Sequence, residues 1–588
     1  MWHKNWRQNS WSNLDQQWDL LIIGGGITGA GILREATRVG LRALLVEQKD
    51  FAWGTSSRSS KLVHGGLRYL KEGKLGLTLA SVQEREQLLA EGPGLIDPLG
   101  FLLASYEGDS PGRFIYRAGL TIYDLLALQW SHKYYSSADF RMMAPYLSGT
   151  GLKGGFRYGD AQTDDARLVL RVIQEAIQDG AVAINNVKAV EPVRDENGRV
   201  CGAILLDELA GDKTEVKAKV VINATGAWVD NLRQQVGLER KIRPLRGSHL
   251  IFSHWRLPVA QAVSFAHPID QRPVFIFPWE GITLVGTTDM DHHQELNKEP
   301  AISPQEVAYL MAAIASQFPS RHIMLDDVIA TYAGVRPVIG SGKADPSEES
   351  RDHVVWIENG LLSVTGGKLT TFRLIALDAL KAVQAELPDW PDSDTRAPVL
   401  NPVDITLPAP AELDEKTRRR LLGRYGNQAP NLVAAAPSHE LAIIPGTPVL
   451  WAELRWAARA EAVVHLDDLL LRRVRLGLLL REGGKALLPQ IRAICQPELG
   501  WDDARWQAEE EAYLTVWHNC YSLPDPDTIP DWGAMLAAQI KREQETAVIT
   551  TPRTQSRNNK WLLGLILLAL GLLWYFSQNR KENDSIKK

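Results

Sequence analysis

The chain has 588 residues, of which 45% are hydrophobic and 23% charged, and its formal net charge at pH 7 is −5. A chain of this length is too long for a single hydrophobic core, so we expect two or three domains. The slightly acidic balance gives no indication of a nucleic-acid partner. The dispersed cysteines, Cys201, Cys495 and Cys520, exclude a disulfide framework or a cysteine-rich metal knuckle.

The first 18 residues are polar and rich in tryptophan, and they contain no apolar core of a signal peptide. We therefore expect the body of the protein to remain in the cytoplasm. The first strongly patterned stretch begins directly after them.

That stretch has the order strand, glycine turn, helix, strand and acid that is typical of a dinucleotide-binding unit. The predicted elements are a strand at 19–24, a helix from the glycine turn through Val39, a break at Gly40 and a strand at 41–46. Gly24 permits the tight turn, Gly26 lets the backbone approach a pyrophosphate, and Gly29 lets the helix pack closely on the sheet. Glu47 ends the unit near the roughly 20-residue spacing at which an acid binds a ribose 2′-hydroxyl.

The block 55–70 combines hydroxyl, glycine and basic side chains without a period, which by itself is typical of a polar surface loop. Together with the glycine turn, however, its stretch Ser59-Ser-Lys-Leu-Val-His-Gly-Gly-Leu-Arg-Tyr69 resembles the FAD-dependent, quinone-linked glycerol-3-phosphate dehydrogenases of the D-amino-acid-oxidase-like superfamily. Further motifs of that family follow in the same order up to about residue 385. They are Asn223-Ala-Thr-Gly-Ala-Trp228, Gly247-Ser-His249, Gly286-Thr-Thr-Asp289, Tyr332-Ala-Gly-Val-Arg-Pro337 and Thr365-Gly-Gly-Lys-Leu-Thr-Thr371.

The resemblance implies an α/β fold in which a Rossmann-type FAD-binding domain is interleaved with a substrate domain built on a mixed β-sheet. We expect a C-terminal all-α domain and a single C-terminal transmembrane helix to complete it. The predicted boundaries are 17–390 for the interleaved domains (FAD-binding parts about 17–90, 155–235 and 350–385, substrate parts about 91–154 and 236–349), 391–410 for a linker, 411–525 for the helical domain, 526–560 for a polar linker and 561–577 for the transmembrane helix.

The resemblance also implies which residues bind FAD. The predicted set is Gly24, Gly26, Gly29, Glu47, Thr55, Ser56, Ser60, Lys61, His64, Gly65, Ala224, Thr225, Gly226, Gly366, Gly367, Lys368, Leu369 and Thr370. The turn at Gly366 and Gly367 is expected to open a helix. Its positively polarised N-terminus would lie at the pyrimidine end of the flavin, where it favours the negative charge of the reduced form.

A phosphorylated polyol substrate would bring negative charge, and the motifs supply basic residues to meet it. By resemblance, the substrate-binding residues are Arg68, Tyr69, Arg336, Arg351 and Lys368. Arginine offers a planar fork of donors that suits phosphate, and lysine offers a compact charge. His353 stands where the family usually has tyrosine, which is a departure from the pattern close to Arg351.

The predicted catalytic residues are His249, Arg336 and Lys368. Oxidation at C2 of the substrate requires removal of the hydroxyl proton, and a base that works near neutral pH suggests histidine. The alternatives for His249 are a hydrogen-bonded core histidine and a residue that only orients the substrate. Lys368 could share the proton if neighbouring arginines lower its pKa.

No metal site is predicted. His292 and His293 resemble a ligand cluster at first sight. Adjacent side chains on a strand point to opposite faces, however, so the two rings are poorly placed to share one ion.

Beyond residue 391 the pattern changes to a proline-rich linker and then to helices. Arginine-rich segments at 416–425 and 467–480 are explained either by solvated helix faces or by contact with acidic lipid headgroups. The solvated face is the better supported of these two interpretations.

The run from Trp561 to Phe576 contains no charged residue and is flanked by lysines and arginines. It is slightly shorter than the roughly 20 residues of a typical spanning helix, but Trp561, Trp574 and Tyr575 suit anchoring at the membrane interfaces. We expect a single-pass anchor with the body on the cytoplasmic side. The alternative is a lipid-embedded or self-associating helix.

The sequence therefore predicts an FAD enzyme on the cytoplasmic face of the inner or plasma membrane. It would oxidise sn-glycerol 3-phosphate to dihydroxyacetone phosphate by hydride transfer from C2 to FAD and pass the electrons to membrane quinone. The expected partners are the phosphorylated polyol, quinone and the lipid bilayer, with a homodimer as a further candidate and no nucleic acid. The alternatives are a superfamily FAD oxidase acting on an amino acid or 2-hydroxy acid, and a non-catalytic membrane-bound flavin scaffold or sensor.

Overall fold

The structure is a computed structural model of the chain. It describes residues 2, 5–71, 73–109, 112–340, 342, 349, 352–387, 397–407 and 413–549, without the side chains of Arg68, Lys71 and residues 543–549. Arg351 and the predicted transmembrane helix at 561–577 lie outside the described residues. Among the residues that are described, no helix combines the length and the apolar character needed to cross a bilayer.

The strands of the described residues fall into two sheets, and the chain passes alternately from one to the other. In chain order they are β1 (Trp18–Ile23), β2 (Ala43–Val46), β3 (Leu62–Val63), β4 (Ile96–Tyr106), β5 (Lys133–Ser136), β6 (Leu152–Thr163), β7 (Val182–Ile184), β8 (Val187–Arg194), β9 (Val200–Asp207), β10 (Lys213–Asn223), β11 (Ile242–Ser253), β12 (Ala262–Ala266), β13 (Pro273–Trp279), β14 (Ile282–Gly286), β15 (Met290–Asp291), β16 (Val328–Ile339), β17 (His353–Glu358) and β18 (Leu361–Gly366).

The helices cover the sheets and then form a separate group after residue 413. In chain order they are α1 (Trp6–Trp11), α2 (Ile27–Arg38), α3 (Leu67–Lys71), α4 (Leu75–Glu91), α5 (Arg113–Ala127), α6 (Ser137–Met143), α7 (Asp165–Gln178), α8 (Val229–Gln235), α9 (Pro304–Gln317), α10 (Phe372–Ala382), α11 (Glu415–Tyr425), α12 (Ala429–Ala435), α13 (Trp451–Ala460), α14 (Leu476–Leu479), α15 (Leu488–Leu499), α16 (Asp503–Cys520) and α17 (Trp532–Ile549). A π-helix spans Asp468–Arg473.

The first sheet contains the predicted strand–helix–strand unit. It has eight strands. Six follow the order β17-β18-β10-β1-β2-β7, in which every pair is parallel except β17–β18, and the other two, β9 and β8, pair antiparallel beside β10 in the order β10-β9-β8. The strand β1 is buried on both faces, as its continuous apolar run predicts. Leu20 and Ile22 pack with α2, α7 and α10, whereas Leu21 and Ile23 pack with β8 and β9.

The second sheet is mixed, as predicted. Its order is β15-β11-β14-β13-β12-β4-β6-β3, with β16 beside β11 and β5 beside β6, and the β12–β4 pair is parallel. Leu250 and Phe252 of β11 pack on α9. Ile251, on the opposite face of β11, packs with the C-terminal helices. This second face therefore looks toward the rest of the molecule and carries the candidate site.

The predicted fold class is confirmed in part: the described residues form an α/β fold with two interleaved sheets and a C-terminal helical region, whereas the predicted transmembrane helix lies outside them. The predicted neighbouring strands at 274–279 and 284–289 correspond to β13 and β14, which pair antiparallel. The helix expected directly after Gly367 begins only at Phe372, because residues 367–371 form an intervening turn.

Part of the predicted linker is packed against the first sheet's helices. Within the described residues 397–407, Val399 and Leu400 are each 1% exposed. Arg34 of α2 donates from Nε to the Val399 carbonyl oxygen at 2.9 Å and from Nη2 to Asn401 Oδ1 at 2.6 Å. This stretch therefore joins the core that covers α2.

Arginines of the C-terminal helices are buried against carboxylates of the first-sheet domain. Asp50, in the loop after β2, accepts from Arg472 Nε at 2.6 Å and from Arg473 Nη1 and Nη2 at 2.6 and 2.7 Å. Asp164, the residue that caps α7, accepts from Arg475 Nε at 3.0 Å. These five side chains are at most 2% exposed.

Both sequence interpretations of these arginines, solvated helix faces and lipid contacts, are wrong for the buried set. A guanidinium is tolerated in a protein interior when a carboxylate and further hydrogen bonds satisfy it. Composition alone shows the arginines but not their partners, which lie several hundred residues earlier in the chain.

The arginines also change the ionisation of the carboxylates. Burial would raise the pKa of Asp50, but Arg473 and Arg472 outweigh it and lower the pKa to about 2. Arg475 lowers the pKa of Asp164 in the same way, against burial. A carboxyl group whose pKa is lower in the folded state stabilises the fold above its unfolded pKa of about 3.9. That stability is lost as the pH falls toward the folded-state value.

Substitution Arg473→Met should therefore be strongly destabilising. It removes a bidentate partner from the buried Asp50, and breaking a buried pair typically costs about 3–5 kcal/mol. Denaturant unfolding at pH 7 measures the loss. The matched control is Arg492→Met, because its partner Asp503 is 88% exposed and little change is expected. Equal effects of the two substitutions would contradict a structural role for the buried pair.

Candidate active site

In the glycine turn after β1, the backbone lies very close to neighbouring backbone segments. At Gly24 φ is +116°, and a Cβ atom there would lie 2.6 Å from the carbonyl oxygen of Ala224. A Cβ atom at Gly29 would lie 1.9 Å from the carbonyl oxygen of Gly24. Helix α2 can therefore meet the end of β1 only without a side chain at Gly29, which is the packing that the motif predicts.

The N-terminus of α2 is open to an anion. The helix begins after Gly26 and has no acidic residue in its first turn. Ser56 Oγ accepts from the Ile27 N–H at 2.9 Å and lies 3.1 Å from the position of a Cβ atom on Gly26. Glu47 Oε2 accepts from the Gly25 N–H at 2.7 Å, which ties the acid at the end of the unit to the turn. Burial raises the pKa of Glu47, although hydrogen bonds from backbone N–H groups oppose the shift.

Two further turns meet this one at the same edge of the sheet. The turn at 224–226 follows β10, and the Gly226 carbonyl accepts from the Thr365 hydroxyl at the end of β18, at 3.1 Å. Gly366 and Gly367 have φ of +80° and +75°, and a Cβ atom on them would approach neighbouring atoms to 2.6 and 2.3 Å. Because β1, β10 and β18 are parallel neighbours, these predicted cofactor residues line one edge of the first sheet.

The segment 55–65 crosses from the first sheet to the second. The hydroxyl of Thr55 donates to a backbone carbonyl of β16. The hydroxyl of Thr370 accepts from the His64 N–H at 3.1 Å and donates to the His64 carbonyl at 3.2 Å. The Gly65 N–H donates to Asp160 Oδ1 at 3.1 Å. The segment is thus held from both sides, and Leu369, beside Thr370, packs on the first-sheet core.

The ammonium group of Lys61 is engaged with a carboxylate. Its Nζ lies 3.0 and 3.2 Å from the carboxylate oxygens of Asp165 and 3.1 Å from the Ser57 carbonyl oxygen. It also lies 4.6 Å from the centroid of the Tyr332 ring. Burial lowers the pKa of Lys61 to about 8, with Asp165 opposing the shift. Any contact of Lys61 with a cofactor would therefore come from its backbone.

His249 lies on the face of the second sheet that meets this crossing segment. Its ring stacks on Tyr332 with 4.5 Å between centroids, and Nε2 lies 2.9 Å from the Ser60 hydroxyl oxygen. Its Nδ1 is buried without a hydrogen-bond partner in the described part of the chain. Burial, and then the charges of Lys61 and Arg336, hold the pKa of His249 well below 6.5, so the ring is neutral at pH 7.

Arg336 shares that face. Alternate residues of β16 point the same way, so Tyr332 and Arg336 lie on one side of the sheet. The guanidinium donates from Nη1 to Asp289 Oδ1 at 2.9 Å and from Nη2 to Thr287 Oγ1 at 3.0 Å. A Cβ atom at Gly247 would lie 2.3 Å from Nη2, so the glycine makes room for the guanidinium.

Lys368 and Tyr69 lie together. Lys368 Nζ is 3.2 Å from the centroid of the Tyr69 ring and 3.4 Å from Ser81 Oγ, and Tyr69 is 5% exposed. An ammonium group over an aromatic face is held by the ring quadrupole. The side chain of Arg68 and the whole of Arg351 lie outside the described residues, so their assignment to the substrate stays a prediction.

The residues that position the predicted site residues were not predicted from the sequence. Tyr332 and Asp289 stand inside recognisable motifs, but the motifs give no sign that one stacks on His249 and the other orients Arg336. Asp160 is a buried carboxylate within β6, but that strand also contains Lys153, Arg157 and Gln162, so no local pattern singles out Asp160 in the sequence.

The FAD dependent oxidoreductase family matches residues 19–373, and the C-terminal domain of alpha-glycerophosphate oxidase matches residues 395–506. The aerobic glycerol-3-phosphate dehydrogenase of Staphylococcus aureus (strain USA300) is 35% identical over 484 residues, which cover 78% of this chain and 87% of that protein. The chain belongs to the FAD-dependent glycerol-3-phosphate dehydrogenase family. The resemblance inferred from the motifs is confirmed.

Solved structures agree with this family. The glycerol-3-phosphate dehydrogenase of Bacillus halodurans, complexed with FAD, matches with a TM-score of 0.69 and 27% identity over 88% of this chain and 98% of that chain. The FAD-bound L-alpha-glycerophosphate oxidase of Mycoplasma pneumoniae matches with a TM-score of 0.50 and 18% identity over 65% and 98%, which supports the fold alone. The predictions of an FAD cofactor and of an oxidoreductase are confirmed.

The residues at the sheet edge fit FAD. The open N-terminus of α2 suits the pyrophosphate, and Glu47 ends the neighbouring strand where a ribose hydroxyl is bound in such units. The turns at 224–226 and 365–370 form the continuation of that edge. The assignment of individual residues to parts of the cofactor stays a prediction.

Substitution Gly29→Ala should abolish FAD binding. The added methyl group would overlap the Gly24 carbonyl oxygen, so α2 must move away from the turn and its N-terminus would no longer face the pyrophosphate. The ratio of flavin to protein absorbance in the purified protein measures the outcome. The control is Gly76→Ala in α4, where a Cβ atom meets nothing within 4 Å. A Gly29→Ala protein with full flavin content would contradict this account.

Proposed function

We propose that this protein oxidises sn-glycerol 3-phosphate to dihydroxyacetone phosphate and passes the electrons to a quinone in the membrane. The observation that carries the reaction is a neutral, buried His249 beside an oriented Arg336 on one face of the second sheet. The relatives of this chain that are named glycerol-3-phosphate dehydrogenases support the choice of substrate.

Arg336 would bind the phosphate group of the substrate. Its hydrogen bonds to Asp289 and Thr287 fix the plane of the guanidinium, and a fixed fork of donors suits two phosphate oxygens. Lys368 would add a second cation, held in place on the ring of Tyr69. Together they favour a doubly charged phosphate over a neutral polyol.

His249 would take the proton of the C2 hydroxyl group. In the tautomer whose Nε2–H donates to Ser60, the lone pair lies on the buried Nδ1, which accepts the proton. Before substrate binds, the cations Lys61 and Arg336 help to keep the histidine weakly basic. The negative phosphate offsets that charge, so binding of the substrate raises the basicity of His249 when a base is needed.

FAD, when bound, supplies the two-electron acceptor for the hydride from C2. The turns at 24–29, 224–226 and 365–370 would hold it, with Glu47 at the ribose. The stacked rings of His249 and Tyr332, each 1% exposed, exclude bulk water from the proton-accepting group. Exclusion of water strengthens the electrostatic interactions of the site.

The proposed electron acceptor and location rest on the sequence of the C-terminal tail. An uncharged run at 561–576 flanked by basic residues and ending in aromatic residues suits a single-pass anchor. Such an anchor would hold the body at the cytoplasmic face of the membrane, where a lipid-dissolved quinone is the available acceptor. A homodimer stays a further prediction.

The substrate is tested by anaerobic bleaching of the flavin absorbance band. Glycerol 3-phosphate should bleach the purified protein, and glycerol, D-amino acids, L-amino acids and 2-hydroxy acids should not, because Arg336 and Lys368 favour phosphate. Bleaching by an amino acid or a 2-hydroxy acid, with peroxide formed in air, would favour a superfamily oxidase. No bleaching by any of these compounds would favour a flavin scaffold without turnover.

Substitution His249→Asn should lower kcat by about 10²–10⁴-fold, the usual contribution of a general base, with flavin content retained. Because the pKa of His249 lies below 6.5, the acid limb of kcat/KM should also lie below pH 6.5. This comparison requires correction for the substrate phosphate, whose second pKa is about 6.

The matched control for this substitution is His267→Asn. His267 is also buried, directly after β12 of the second sheet, but it stacks on Tyr309. It should leave kcat and the pH profile unchanged. An unaltered kcat in His249→Asn, or the same loss in both variants, would remove His249 as the base.

Removal of residues 561–588 should change how the protein is attached to membranes. The full chain should require detergent for extraction, whereas the shortened chain should be released by high salt and keep its activity with a soluble dye acceptor. Release by salt is expected because only surface contacts, which salt screens, would remain. A shortened chain that still requires detergent would contradict the proposed anchor.

A further inference from the structure

The imidazole of His249 is held in its plane by two neighbouring strands. In the second sheet His249 is paired with Gly286 of β14 on one side and with Tyr332 of β16 on the other. A Cβ atom at Gly286 would lie 2.2 Å from Cδ2 of His249 and 2.7 Å from its Nε2, so the glycine leaves the space that the imidazole occupies. The ring of Tyr332 stacks on the imidazole with an angle of 10° between the planes. Packing therefore fixes the plane of the imidazole.

Packing alone does not decide which ring atoms point toward the substrate. A stacked imidazole can still turn over about χ2, which exchanges its nitrogen atoms with carbon atoms. In the described part of the chain, the hydrogen bond between Nε2 and the Ser60 hydroxyl is the one that distinguishes the two orientations, because Nδ1 has no partner there. The orientation of the imidazole therefore depends on where the Ser60 hydroxyl lies.

Tyr332 also bonds to the residue before Ser60. Its hydroxyl donates to the Ser59 carbonyl oxygen at 2.9 Å. Burial, and then the charge of Asp165, raise the pKa of Tyr332 well above 10, so the hydroxyl keeps its proton and remains a donor. The Ser59 carbonyl belongs to the planar peptide unit that continues into Ser60. The hydrogen bond from Tyr332 therefore fixes the backbone from which the Ser60 side chain extends.

These contacts form a closed cycle of four residues. The stack joins His249 to Tyr332, and the Tyr332 hydroxyl joins Ser59. One peptide bond leads from Ser59 to Ser60, whose hydroxyl returns to Nε2 of His249. Asp165 holds the cycle in place, because it accepts from the Ser59 N–H at 2.9 Å and from the Ser59 hydroxyl at 2.7 Å. Loss of the Tyr332 hydroxyl should thus loosen the cycle without unfolding the segment.

We propose that Tyr332 and Ser60 are positioning residues, which together direct Nδ1 of His249 toward the C2 hydroxyl group of the substrate. The inference rests on the proposed role of His249 as the base and deepens it, because it names what decides which ring nitrogen faces the substrate. It also gives the Ser60 side chain a partner within the protein, in addition to the cofactor contact predicted from the sequence. Neither residue takes the proton itself.

The kinetic test compares Tyr332→Phe, Ser60→Ala and the double variant in stopped-flow reduction of bound flavin by glycerol 3-phosphate. Tyr332→Phe keeps the stacked ring and removes the hydroxyl alone. A slightly misplaced base should lower the limiting rate about 10-fold in Tyr332→Phe and about 10–100-fold in Ser60→Ala. The Kd of the substrate should stay unchanged in both, because the phosphate-binding cations are untouched.

The double variant separates positioning from a general loss of stability. If the Tyr332 hydroxyl acts through Ser60, its removal should cost little further once the Ser60 hydroxyl is gone. The rate in the double variant should therefore equal that of Ser60→Ala. Independent structural effects of the two substitutions would instead multiply.

The matched control is Tyr513→Phe in α16. Tyr513 is 1% exposed, as Tyr332 is, and its hydroxyl also donates to a backbone carbonyl, that of Gly483, at 2.5 Å. Its loss should lower the thermal midpoint about as much as Tyr332→Phe does, since the two lost bonds are of the same kind. The limiting rate of flavin reduction should stay at the level of the unsubstituted chain.

A measurement without substrate observes the imidazole directly. The full chain is labelled with ¹⁵N at histidine Nδ1 alone, and the His249 signal in solid-state NMR is assigned by its loss in His249→Asn. Nδ1 should be unprotonated in the unsubstituted chain, because the ring proton on Nε2 is donated to Ser60. In Ser60→Ala a part of the signal should move to the position of a protonated nitrogen.

Each of four results would overturn the proposal: an unchanged rate in Tyr332→Phe, multiplied losses in the double variant, a change in substrate Kd in place of the rate, or a protonated Nδ1 in the unsubstituted chain. The His249→Asn variant distinguishes these failures from failure of the proposed base. If His249→Asn is slow and Tyr332→Phe is not, the base stands and the positioning is wrong. If His249→Asn is as fast as the unsubstituted chain, the proposed base itself is wrong.

Discussion

The site depends on one backbone contact, the approach of helix α2 to the turn after β1. The contact is possible because Gly29 has no side chain, so the helix backbone can touch the carbonyl group of Gly24. This contact places the helix N-terminus at the carboxyl edge of the first sheet, where the turns after β10 and β18 also arrive. The position of this edge in turn determines where segment 55–65 crosses from the first sheet to the second.

The second sheet contributes by using its two faces differently. Along β11, Arg246 and Ser248 bond to Glu306 at the start of α9, at 2.8 and 2.9 Å, while Gly247 and His249 point to the other side. Helix α9 therefore holds β11 through one face of the sheet, and the opposite face carries the candidate site. Because neighbouring residues on a strand alternate in direction, a motif as short as Gly-Ser-His serves both purposes.

The parts of this architecture that were predictable are those whose signals are local. The strand–turn–helix–strand unit, the ends of β10 and β18 and the helical C-terminal region all follow from periodicity and glycine placement within short windows. The start of α10 at Phe372 was predicted too early, because glycines mark a turn without giving its length. The pairs Lys61–Asp165 and His249–Tyr332 join residues that are remote in sequence, and no local pattern of apolar and polar residues encodes such pairings.

The buried arginines of the helical region have a consequence for how such proteins can change over time. Asp50 and Asp164 belong to the nucleotide-binding half of the chain, yet their counter-charges, Arg472, Arg473 and Arg475, come from the other end. A descendant that lost the C-terminal helices would leave the carboxylates of Asp50 and Asp164 without their arginine partners. Loss of the helices would therefore require substitution of both aspartates. These ion pairs couple the evolution of the two regions, although the proline-rich stretch between them is typical of a linker between independent domains.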